Sequence, residues 1–222
     1  MHKDGRSKPL SQQAYETIKQ KIVRLEMAPG SVIDEAELQA ELGYGRTPIR
    51  EGLKRLALEN LVSIVPRRGM FVTDIGINDL QRLLEVRVVL EKLAARLAAQ
   101  RGSQAHWQRM QNLLDSLTVE EMPSDNAIIK TDESFHEILY EAADNHFLHD
   151  TLTVLLSLNE RLWYFFLPDL GSIADTASEH RAILESLKKR DGVEAAALLE
   201  NHIQGLQGKM QAIVLGVPPN DQ

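Results

Sequence analysis

The chain has 222 residues, 43% hydrophobic and 26% charged, the balance of a globular protein with room for one large domain or two modest ones. It has no cysteine, which excludes disulfides and cysteine-ligated metals, and no stretch approaches the roughly 18 to 20 apolar residues of a membrane span. The net charge of −7 is unevenly spread: residues 1 to 73 hold 12 Lys or Arg against 9 Asp or Glu, and the remainder holds 13 against 23. Such a split is compatible with chance, and equally with a polyanion-binding head on an acidic body. The opening stretch MHKDGRSKPLSQQ lacks the apolar core of a secretory signal, so a cytoplasmic location is expected.

Residues 10 to 24 place Leu10, Ala14, Ile18 and Ile22, and then Leu25, at helical spacing. APGS at 28 to 31 breaks that helix. A short second helix is expected from Asp34 to Leu42, with Asp34 as its cap and Glu37 three residues on. Gly43-Tyr44-Gly45 ends it, and a third helix follows over 46 to 59, with Pro48 tolerated in its first turn. Beyond Asn60 the period changes. LVSIVPRRGMFVTD reads as two strands, 62 to 65 and 70 to 73, joined by Pro66-Arg67-Arg68-Gly69. From residue 78 onward only helical patterns occur, over 78–100, 104–118, 125–142, 145–166, 173–189 and 192–213. Ser172 with Asp175, and Asp191 with Glu194, fit capping boxes. The expected fold is therefore mainly α: a winged helix-turn-helix over 1–74, an all-helical bundle of about six helices over 75–213, and a flexible tail over 214–222.

Two groups of residues carry chemistry. In the head, Arg46, Arg50 and Lys54 recur every four residues and line one face of the third helix beside Thr47, while Arg67 and Arg68 sit at the hairpin turn. A merely solvated helix face would look the same in isolation. The short helix before it and the arginine-tipped hairpin after it favour a duplex, whose phosphates and guanine edges suit long cationic side chains. In the body, Asp132 and His136 stand four apart on the stripe formed by Ile128 or Ile129, Phe135 and Leu139. His180 lies on the seam of Ala177, Leu184 and Leu187, and His202 lies between Leu199 and Leu206. One inward histidine is ordinarily a hydrogen-bonded core residue, and an Asp–His pair at this spacing is ordinarily a local polar contact. Four such groups from three helices each need a partner, and one divalent cation would satisfy them all. Three imidazoles and a carboxylate suit Zn, Ni, Co, Mn or Fe better than Ca.

The run LEMAPGSVIDEAELQAELGYGRTPIREGLKRLALENLVSIVPRRGMFV resembles the DNA-binding domain of the GntR family of bacterial transcription regulators. The Pro29-Gly30 turn, Glu35, Leu38, LG at 42 to 43, RTPIRE at 46 to 51, LKRL at 53 to 56 and PRRG at 66 to 69 carry the likeness. The resemblance implies operator contacts by Arg46, Thr47 and Arg50, with Arg67 or Arg68 and Gly69 in the wing. The chain departs from the family at Gly45, usually serine, and at Gly52, usually alanine; a glycine inside a helix costs about 1 kcal/mol against alanine. DESFHEILYEAADNHFL, SEHRAILESLKKRDGVEAAALLENHI and LLEVRVVLEKLAARLAA resemble the helical effector-binding domain of the FadR-type branch. Many of its members hold a metal with one aspartate and three histidines, at positions matching Asp132, His136, His180 and His202. The long-chain acyl-CoA-binding members lack that set, which disfavours an acyl-CoA effector.

On this footing the chain is expected to be a metabolite-responsive regulator, a repressor, that binds double-stranded operator DNA as a homodimer and answers a small carboxylate. Arg87 follows the stripe of Leu80, Leu84, Glu91 and Ala95. It suits a bidentate grip on a ligand carboxylate beside the metal, the alternative being a surface Arg87–Glu91 pair. Asn159 and Arg161 are weaker candidates for the same role. The rival reading is a metal-dependent enzyme, since a metal with an open position can activate water, but no general base is clearly placed. A purely structural metal is a third.

Overall fold

A computed structural model describes residues 8–118, 124–169 and 176–214. The Ser172–Asp175 capping box and all but the first residue of the expected tail lie outside the described residues. The chain divides into two compact units, Met1–Ile75 and Gly76–Gln222.

The first unit is built from α1 (Leu10–Val23), α2 (Glu35–Leu42), α3 (Arg46–Leu58) and a hairpin of β1 (Val62–Val65) and β2 (Gly69–Val72). Ala14, Ile18 and Ile22 of α1 are fully buried, as are Ile49, Leu53 and Leu56 of α3, so each helix turns one apolar face toward the other. The pattern overreaches at both ends of α1. Leu10 is 55% exposed, and Leu25 lies beyond the helix with a φ of 61°, where the chain turns toward Pro29-Gly30. Asp34 caps α2, its Oδ1 accepting from the backbone N–H groups of Ala36 at 2.7 Å and Glu37 at 3.2 Å. Gly45 starts α3 without a side-chain cap.

Gly52 has a packing role that its helix propensity conceals. A Cβ at this position would lie 3.0 Å from the backbone nitrogen of Tyr15 and 3.2 Å from its Cα. The glycine lets the backbone of α1 lie directly on α3. The hairpin is antiparallel, with Val62 opposite Val72 and Val65 opposite Gly69, so β2 begins one residue earlier than its alternation suggests. Val32 forms a further antiparallel bridge to Phe71, a pairing too short to leave a sequence pattern.

The second unit contains α4 (Ile77–Arg101), α5 (Gln104–Thr118), α6 (Asp125–Ala142), α7 (His146–Phe166) with a 3₁₀ turn at Leu167–Asp169, α8 (Thr176–Lys188) and α9 (Gly192–Val214). It is the six-helix bundle expected. α4 is the central helix, packing against α6, α7, α8 and α9. Ala94, Ala95, Ala98 and Ala99 of α4 are all fully buried, and such small side chains let α9 approach closely with Ala195, Ala196 and Leu199. Asp191 caps α9 by accepting from the N–H groups of Val193 and Glu194. The guanidinium of Arg190 donates to the carbonyls of Ala99 and Gln100, closing the C-terminal end of α4. Into this apolar bundle are set Arg87, Glu91, Asp132, His136, Asn159, Glu160, Arg161, His180 and His202, all buried. No helix among the described residues is long and apolar enough to cross a membrane.

Candidate metal centre and nucleic-acid interface

The bundle brings Asp132 and His136 of α6, His180 of α8 and His202 of α9 together, with one ligand atom of each lying within 4.8 Å of all the others. The four-residue spacing stacks Asp132 and His136 on one face of α6, and the seams of α8 and α9 bring the other two rings against that face. Asp132 Oδ1 is the common point: His202 Nε2 is 3.2 Å from it, His180 Nε2 3.3 Å and His136 Nε2 3.8 Å. Ligand atoms about 2.1 Å from a tetrahedral ion stand roughly 3.4 Å apart, so these separations match the edges of a coordination shell. The Nε2 atoms of His136 and His180 are buried without a hydrogen-bond partner. Orphaned buried nitrogens aimed at a shared carboxylate oxygen fit a bound cation, which would accept their lone pairs.

Two of the rings are held from behind by carboxylates. His136 Nδ1 donates to Glu91 Oε2 at 3.1 Å, and His202 Nδ1 donates to Glu179 Oε2 at 2.6 Å. A carboxylate only accepts, so each contact places the ring hydrogen on Nδ1 and leaves Nε2 to face the centre. Glu91 in turn accepts from Arg87 Nε and Nη2 at 3.2 and 3.0 Å, and from the Tyr140 hydroxyl at 2.5 Å. His180 is supported differently, stacked on Phe135 with ring centroids 4.2 Å apart and planes 20° from parallel. Glu91, Tyr140 and Glu179 were not among the expected site residues. The available signals were the place of Glu91 on the α4 stripe, of Tyr140 one turn after His136, and of Glu179 directly before His180.

The electrostatics follow from burial and pairing. Burial pushes the Glu91 carboxyl upward, but the His136 ring and Arg87 outweigh it and hold the group at about 2. Burial likewise opposes ionisation of Asp132, yet the three rings keep it well below the usual carboxylate range. Burial and the neighbouring His202 push His180 down to about 4, so its nitrogen lone pair is available at neutral pH. Burial also disfavours charge on His202, but its contacts to Asp132 and Glu179 prevail and raise it to about 9.

Arg87 makes its pair with Glu91 in the interior, the side chains being 3% and 0% exposed, so the surface pair weighed from sequence is not what forms. Its charge is already committed to a carboxylate that orients His136. Asn159 and Arg161 are buried on α7, which packs against α4 and α6, and Asn159 Nδ2 has no hydrogen-bond partner. Trp163 and Phe166 are buried and Phe165 is 45% exposed.

In the head, Arg46, Thr47, Arg50 and Lys54 are all exposed on α3, as are Arg67, Arg68 and Gly69 at the hairpin turn. Arg67 and Gly69 adopt left-handed conformations, with φ of 64° and 107°. Arg68 lies over the Phe71 ring at 5.8 Å. Arg50 Nε donates to Glu35 Oε2 at 2.7 Å, and Arg46 Nε stands 3.9 Å from the same oxygen. Arg55, also basic and on α3, turns away to Gln12 and the Tyr15 ring of α1.

Residues 82–205 match the FCD domain, and residues 10–72 match the bacterial regulatory proteins of the gntR family. Among curated relatives, the chain is 27% identical to the HTH-type transcriptional repressor RspR of Escherichia coli, over 93% of this chain and 91% of that protein. It is 31% identical to the Nta operon transcriptional regulator of Aminobacter aminovorans, over 85% of this chain and 88% of that protein. Among solved structures, Escherichia coli McbR/YncC superposes with a TM-score of 0.84 at 21% identity, covering 94% of this chain and all (100%) of that one, a likeness of fold.

Proposed function

We propose that this chain, which belongs to the gntR family of bacterial regulatory proteins and carries an FCD domain, is a cytoplasmic repressor whose operator binding is controlled by a small carboxylate held beside a divalent metal. The division of labour follows the sequence: residues 1–74 bind DNA, and residues 75–213 bind the effector and pair two copies into a homodimer. Arg46, Thr47, Arg50 and Lys54 of α3 meet the major groove, with Arg67, Arg68 and Gly69 in the wing. One head offers one recognition helix, so two-fold pairing supplies the second half-site. RspR, which the chain resembles along nearly all its length, is named a repressor, and that supports the sign of regulation.

The observation that carries the sensing role is the convergence of three Nε2 atoms on Asp132 Oδ1, two of them buried without a hydrogen-bond partner. The donor set suits Zn, Ni, Mn, Co or Fe, and a bound ion would supply a Lewis-acid anchor for a carboxylate oxygen. Glu91 and Glu179 orient the rings of His136 and His202, and Phe135 sets the plane of His180. Arg87 supplies positive charge near the centre while neutralising Glu91, and Asn159 and Arg161 offer further polar contacts for an acid. Ligand and operator are coupled only insofar as the acid binds two arrangements of the dimer with different affinity.

The test is selective DNA binding by the purified chain, using the sequence upstream of its own gene, titrated with a panel of small carboxylates before and after chelation. One acid that changes operator affinity only with metal present establishes the reading. Operator binding indifferent to every acid, with chelation merely unfolding the chain, shows a structural metal instead.

A further inference from the structure

The head carries a carboxylate on a surface meant for a polyanion. Glu35 Oε2 lies 2.7 Å from Arg50 Nε and 3.9 Å from Arg46 Nε, and the glutamate side chain is 22% exposed against 48% and 70% for the two arginines. The acid is lodged in the surface and the arginines project from it. A groove lined by Glu35, Gln39, Arg46, Gly69 and Met70 joins the start of α2, the start of α3 and the hairpin turn, so Glu35 faces the side on which both basic elements lie. A negative charge in that place lowers affinity for phosphate of any sequence. Its geometry confers something else. Arginine has five N–H donors, and Glu35 engages the one on Nε of Arg50. The two terminal nitrogens are left as the fork that matches guanine O6 and N7.

We propose that Glu35 is a specificity-determining residue of the DNA-binding head. It holds Arg50, and more loosely Arg46, with the terminal nitrogens outward for base edges, and its charge penalises binding to phosphates alone. The proposal rests on the reading that α3 enters the major groove. On a matching sequence Arg50 keeps Glu35 and gains a base; on any other it must leave Glu35 to follow the backbone or forgo the contact. Discrimination arises from that difference, because weakening the wrong complexes serves selectivity as much as strengthening the right one.

The experiment captures DNA from a random-sequence duplex library with the full chain, comparing wild type, Glu35→Gln and Glu37→Gln. Glu37 lies on the same first turn of α2 and is exposed, so its variant removes an equal charge without touching either arginine. Helix content and melting temperature confirm that each variant is folded. For Glu35→Gln the expected results are non-specific affinity raised by several-fold, enrichment of the preferred sequence reduced about tenfold, and a salt dependence steeper by about one released counterion. Arg50→Ala combined with Glu35→Gln should match Arg50→Ala alone in enrichment. If wild type enriches a sequence and Glu35→Gln enriches it equally, or if Glu37→Gln reproduces the loss, the proposal is overturned and the DNA-binding reading stands. If wild type enriches nothing, the reading beneath it fails as well.

Discussion

Replacing Glu91 by glutamine tests the interior network most directly. The Glu91 carboxylate accepts from Arg87 Nε and Nη2, His136 Nδ1 and the Tyr140 hydroxyl, at 2.5 to 3.2 Å, and both Glu91 and Arg87 are buried from solvent. Glutamine preserves the shape and removes the charge, leaving the Arg87 cation buried with no carboxylate against it. Breaking one side of such a pair costs about 3–5 kcal/mol, because the remaining charge keeps its desolvation penalty and loses its compensation. At roughly 2–4 °C of melting temperature per kcal/mol for a chain of this size, the midpoint should fall by about 10 °C. Arg87→Met should cost less, since Glu91 would still accept from His136 and Tyr140. The order of the two variants is thus the sharper outcome. Urea and thermal melts of the full chain measure it, with the metal held constant. A loss for Glu91→Gln below about 1 kcal/mol, or a larger loss for Arg87→Met, would refute the reasoning.

The other expectations concern the metal, the head and its packing. Zn²⁺ or Ni²⁺ at a hundred times its dissociation constant should stabilise the chain by about 2.7 kcal/mol, and His180→Ala should abolish this shift while remaining helical by circular dichroism. Arg46→Ala and Arg50→Ala should each remove about 1–3 kcal/mol of discrimination between the preferred sequence and its single-base variants, measured by competition binding. Lys54→Ala should instead weaken binding to all sequences alike and flatten the salt dependence by about one counterion. Gly52→Val should destabilise the head by about 1–3 kcal/mol in chemical denaturation, because the added carbons meet the Tyr15 backbone. An unchanged midpoint would show that α1 can move away at no cost.

Periodicity and turn chemistry by themselves determined the order of elements, and most of their boundaries lie within a residue or two of the structure. They did so because each helix must show an apolar stripe to its neighbours, and because Pro, Gly and capping residues punctuate the chain locally. The inward direction of Asp132, His136, His180 and His202 was legible for the same reason. Periodicity names the buried face of a helix but not the residue that meets it from another. Glu91 is 45 positions from His136, Glu179 is 23 from His202, and only the packing of α4, α6, α8 and α9 decides that they touch. The burial of the Arg87–Glu91 pair was decided there too, since an i, i+4 ion pair looks the same in sequence whether water or protein covers it. In the head, Gly52 reads as a weak helix residue until α1 is placed on it, and Glu35 as a helix-start acid until Arg50 is seen to reach it. Local patterns set which way a side chain faces, and tertiary contacts set what it faces.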